Sequence, residues 1–103
     1  MIQVFFQPKL VGDTFLAKFD FASRLDVGTT ISSAVVTCTV YSGTDASPSS
    51  MISGADSTSG TIITQAITGG IAGVMYYLLC TITTSDGQTL LASGFLAVVP
   101  NVV

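Results

Sequence analysis

The residues able to carry chemistry are few and scattered. Two cysteines, Cys38 and Cys80, stand 42 positions apart, and the six acids are all aspartate: Asp13, Asp20, Asp26, Asp45, Asp56 and Asp86. The bases are Lys9, Lys18 and Arg24, and the chain has no histidine, glutamate or tryptophan. A hydroxyl or thiol nucleophile needs a positioned base, usually histidine. Lys9 and Lys18 stand where the sequence reads as exposed loop and outward strand face. Acid catalysis by a carboxylate pair would need two aspartates to converge. Five of the six sit in turn or loop contexts, where the side chain ordinarily caps a local amide. Two distant cysteines without histidine do not make a zinc site, and the spacing of Asp45 and Asp56 matches no calcium loop. The sequence therefore predicts a non-enzyme with no cofactor and no metal.

Composition narrows the partners. A net charge of −3 with three dispersed basic residues lacks the clustered positive face that nucleic acid requires. The longest apolar run, Ile71 to Cys80, is about half of what a spanning helix needs, so no membrane is expected either. In the opening MIQVFFQPKL the basic residue follows the apolar stretch and no cleavage-like site appears. That pattern predicts a chain made and first used in a cytoplasm. Nine charged residues are sparse cover for 103 residues, which is consistent with a soluble monomer coated in serine and threonine and favours an exterior partly covered by other proteins in a larger assembly.

The length suits one domain with one core. Aspartate in place of glutamate disfavours helices, and fourteen threonines and twelve serines suit strand positions facing water. Segment 14–21, TFLAKFDF, alternates with Phe15, Ala17, Phe19 and Phe21 on one face. Segment 31–42, ISSAVVTCTVYS, puts Ala34, Val36, Cys38 and Val40 on one face and Val35, Thr37, Thr39 and Tyr41 on the other. Residues 43–60 are rich in Gly, Ser and Asp and predict a long loop with at most a short edge strand. In 61–68 either Ile63, Gln65 and Ile67 or the alternate set could face the core. Segment 74–84 keeps Tyr76, Leu78, Cys80 and Ile82 in phase, and Asp86-Gly87 predicts a tight type I′ hairpin into 88–99. Gly94 inside that last strand signals a bulge or a close backbone approach. About seven strands without a helical period predict an all-β, immunoglobulin-like antiparallel β-sandwich.

Cys38 and Cys80 fall in the inward phase of two long strands. In an immunoglobulin-type sandwich these would be strands B and F, facing each other across the core, where a disulfide is geometrically open. Cytoplasmic synthesis favours two reduced thiols packed as small apolar groups, and both states stay open. Tyr76 could direct its hydroxyl to the corner before it, although the usual corner tyrosine stands two residues before the cysteine, where this chain has Leu78.

The division expected is residues 1–13 as an N-terminal arm or edge strand, 14–99 as the sandwich and 100–103 as a tail. Ile2, Val4, Phe5 and Phe6 would be an aggregation hazard in water, which makes them candidate assembly contacts. They could pair in cis as a first strand or in trans on a neighbour's sheet edge.

GDTFLAKFDFASRL at 12–25, TISSAVVTCTVYSG at 30–43, ITQAITGGIAGVMYYLLCTITTSDGQTL at 63–90 and ASGFLAVV at 92–99 together resemble the small immunoglobulin-like virion proteins of tailed bacteriophages, fibre-tail adaptors among them. Such proteins tend to carry tryptophan in the first strand, where this chain has Phe21. The resemblance implies a structural part of a virion, contacting tail, fibre or capsid proteins and oligomeric in the particle, after synthesis in the host cytoplasm. It implies no catalytic residue. The role expected is joining a fibre or tail component to the particle. The alternatives are a capsid decoration protein and a receptor- or carbohydrate-binding module, for which Tyr41 and Tyr77 are the outward aromatic candidates.

Overall fold

A computed structural model describes residues 2–6 and 8–100, with only the backbone described at 2–5. Its strands are β1 (Ile2–Phe5), β2 (Lys9–Leu10), β3 (Phe15–Asp20), β4 (Ile31–Ser42), β5 (Ile52–Ser59), β6 (Ile62–Ile67), β7 (Met75–Thr84) and β8 (Thr89–Val99). Two short 3₁₀ turns, Ala22–Arg24 and Pro48–Met51, are the only helical pieces among the described residues. One sheet runs β1-β8-β7-β4, with β2 also on β8, and the other runs β3-β6-β5. Every pairing is antiparallel except those of β1 and β2, which run parallel to β8. With β3 to β8 in positions B to G, the sheets are B-E-D and C-F-G, the arrangement of an immunoglobulin-like sandwich. Counting β1 and β2 as one interrupted strand gives seven.

The period-two residues meet between the sheets. Ala17, Phe19 and Phe21 of one sheet pack against Val36, Cys38, Tyr76, Leu78, Cys80, Ile82 and Leu96 of the other, all buried. The ambiguous segment resolves with Ile63, Gln65 and Ile67 inward.

Two expectations are corrected. Residues 43–60 are no long loop, because a 3₁₀ turn leads into the eight-residue β5. Buried Met51 anchors that entry, and Gln65 Nε2 donates to the Ser53 and Gly54 carbonyls at 3.2 Å, holding the bulge between Ser53 and Ser57. A polar, solvent-facing edge strand has the composition of a loop, which hid it. The hairpin is not type I′ either. That turn needs positive φ at both central residues, and among the described residues only glycines have it. Gly87 (φ 87°) closes a type I turn through its N–H on the Thr84 carbonyl at 3.1 Å, with the Thr84 N–H on the Gln88 carbonyl at 2.8 Å. The Thr84 hydroxyl bonded to Asp86 reinforces this three-residue loop.

Candidate assembly surface

The N-terminal segment lies along β8. Ile2 to Phe5 run parallel to Ala92 to Phe95, and Phe6 N–H continues the ladder to the Phe95 carbonyl at 2.9 Å. After the interruption around Pro8, Lys9 and Leu10 pair with Val98 and Val99, and Val11 N–H reaches the Val99 carbonyl at 3.1 Å. Within this chain the segment is thus a cis edge strand. The side chains of the candidate contacts Ile2, Val4 and Phe5 lie outside the described residues, as do residues 101–103 of the expected tail. Phe6 is described. Its ring stands edge-on to Phe15 at 5.3 Å and to Phe19 at 5.7 Å, bridging from β8 to the opposite sheet. Gly94 makes room for it, because a Cβ there would come within 2.3 Å of the Phe6 ring. The glycine in the strand therefore marks a close approach.

Lys9 is corrected from an exposed loop residue to a buried one, 2% exposed. Its ammonium donates to the carbonyls of Leu10 (2.7 Å), Gly69 (2.8 Å) and Val11 (3.1 Å), three acceptors for three protons. Burial pulls its pKa below that of an ordinary lysine, and the Asp13 charge partly offsets this. The lysine pins the N-terminal edge to the glycine corner after β6. Sequence alone missed it because an isolated lysine beside proline looks like surface.

The outer face of β4, β7 and β8 contrasts with these anchored edges. Its three strands hold no Asp, Glu, Lys or Arg. On the outer side of the sheet are Val35, Thr37, Thr39 and Tyr41 of β4, Tyr77, Leu79 and Thr81 of β7, and Leu91 and the largely buried Phe95 of β8. Val35 (60%) and Tyr41 (66%) are largely exposed. Phe95 forms an aromatic cluster with Tyr41, ring centres 4.7 Å apart, and with Tyr77 at 5.4 Å. The two tyrosines were legible as outward candidates. Phe95 was not singled out, although the alternation Gly94-Phe95-Leu96 puts it on the same face.

The cysteines lie elsewhere than expected. Cys38 on β4 and Cys80 on β7 occupy positions C and F, neighbours in one sheet instead of partners across the core. The register pairs Cys38 with Leu78 and Val36 with Cys80, a diagonal whose spacing of about 7–8 Å is longer than a disulfide usually spans. Both are free thiols. Burial pushes the pKa of Cys38 to about 11 and that of Cys80 to about 12, and both are inert at neutral pH. Cys38 Sγ sits 4.0 Å from Met51 Sδ and serves packing.

Tyr76 does reach the corner. Its hydroxyl accepts from Ile71 N–H at 2.9 Å and donates to Asp45 Oδ2 at 2.7 Å, tying the corner after β6 to the turn after β4. Burial, then the bond to Asp45, raises its pKa to about 12. The same bond and the Ser47 N–H hold Asp45 below the usual carboxylate range. No cluster of three or more Asp or Cys able to hold a metal occurs among the described residues.

No curated protein matches the chain in sequence. Residues 9–97 do match a family model described as Podophage GP4 fiber-tail adaptor protein gp77. The match begins at buried Lys9 and ends in β8, so it spans the sandwich and the second part of the N-terminal edge. The chain belongs to this fibre-tail adaptor family of podophages.

Proposed function

We propose that this chain is a non-enzymatic virion protein that joins a fibre to the tail, with the outer face of β4, β7 and β8 as a contact surface. The observation that carries this reading is the family match over residues 9–97. The uncharged face supports it physically: threonine, leucine and aromatic side chains without charge lose little on desolvation and suit the centre of an interface. Free, buried cysteines fit a protein made in the host cytoplasm before it enters the particle.

The test is the location and copy number of the chain in purified particles. A copy number following tail symmetry, together with loss of fibres from particles made without it, is expected. A copy number following the capsid lattice would replace this reading with capsid decoration.

A further inference from the structure

The four sheet edges are not equally protected. The edge at β3 carries exposed Lys18 and Asp20, and the edge at β5 is broken by its bulge and carries Asp56. The N-terminal edge is interrupted between β1 and β2, beside Pro8. These are the devices by which natural sheets avoid edge-to-edge pairing. β4 has twelve residues with no charge and no proline, and its register is regular from Ser33 to Val40. Among the described residues only β7 hydrogen-bonds to its main chain as a strand, so alternate residues turn N–H and C=O outward from the sheet. The free run is about 26 Å long, at about 3.3 Å per residue.

The sequence of this edge names its occupant. Residues 34–42 read AVVTCTVYS, with Val36-Thr37-Cys38-Thr39-Val40 a palindrome. Antiparallel pairing of two identical strands about a two-fold axis at Cys38 sets residue 37 against residue 39 of the second copy and residue 36 against residue 40. Thr37 then meets Thr39 and Val36 meets Val40, each pair occurring twice and all four residues within the regular stretch. Thr–Thr pairs are among those that stabilise antiparallel sheets. No charge is buried by the join. From this self-complementary edge, which pairs with no second strand among the described residues, we infer that β4 is a homodimer interface: two copies join antiparallel at β4, merging their larger sheets into one.

The register is testable because Thr37 and Thr39 are exposed in the single chain. The purified full-length protein sediments at twice the 10.6 kDa of one chain. The variant Thr37→Asp/Thr39→Asp places like charges opposite each other twice and weakens association about tenfold or more. The variant Thr37→Lys/Thr39→Asp instead sets the introduced ammonium of each copy against the introduced carboxylate of the other and restores the dimer. Circular dichroism and cooperative melting confirm that both variants keep the β fold. A wild-type chain monomeric at 100 micromolar overturns the inference, as does an unaltered dimer in the double-aspartate variant. Failure of the charge swap to restore association overturns the register at Cys38.

Discussion

The two sheets of the sandwich share a core, yet their outer faces are built to different rules. The face of β3, β6 and β5 carries Lys18 and Asp20 with Thr64, Ser53, Ser57 and Ser59, and its apolar members are Leu16, Ile62 and Ala66. The face of β4, β7 and β8 has no charge and carries an aromatic cluster of Tyr41, Tyr77 and Phe95. The one lysine of the larger sheet, Lys9, is turned inward onto three carbonyls instead of lying on that face. The difference teaches that the shortage of charge in this chain is uneven: one face carries charged side chains and the other carries none.

The two lysines give the largest contrast. Lys9→Met removes the donor of three part-buried carbonyls and is expected to cost about 2 kcal/mol, read by denaturant unfolding. Lys18→Met on the solvated face should change stability by no more than about 0.5 kcal/mol. Equal effects would break the comparison. Gly94→Ala follows, because the new methyl collides with the Phe6 ring that bridges the sheets, and a cost of about 2 kcal/mol is expected.

The pH response comes next in size. The pKa of Asp45 is depressed in the folded state, so its contribution is present above the unfolded aspartate value and is lost as pH falls through the folded one. Melting temperature should therefore drop on acidification through that range, with a shallower drop in Asp45→Asn. The cysteines act at the other end. Their folded pKa values of about 11 and 12 exceed the ordinary 9.0, so the folded state holds protons that the unfolded one releases. Stability should fall as pH rises above about 9, and less so in Cys38→Ala/Cys80→Ala. At pH 8 neither thiol should react with a maleimide until the chain is unfolded.

Much of this was legible in the sequence. Period-two alternation located β3, β4 and β7 and their buried faces, because in a two-layer sandwich each strand has one wet and one dry side, and the Asp86-Gly87 turn located β8. Tyr76 was readable from its distance to the glycine corner. The misreadings share a cause, since each depended on which distant segment a residue meets. Lys9 looks like surface until the Gly69 carbonyl is brought to it. The serine-rich β5 looks like a loop until β6 supplies its hydrogen bonds. Cys38 and Cys80 look like a B–F pair until the N-terminal strands are counted, which moves Cys38 one strand along to position C. Phase along a strand is local; register between strands is not.

The smallest effect on stability should have the largest effect on assembly. Thr81 of β7 and Thr64 of β6 are matched positions, half-buried threonines facing outward from the inner strand of each sheet. Thr81→Glu and Thr64→Glu should each shift stability by no more than about 1 kcal/mol. The direct measurement is incorporation of each variant into particles that lack the native protein, quantified by mass spectrometry of purified virions. The Thr64→Glu chain is expected at the wild-type copy number, and the Thr81→Glu chain to be strongly depleted, with fibres missing. Equal incorporation of the two variants with fibres attached, or selective loss of Thr64→Glu, would contradict the assignment of the uncharged face as the contact surface.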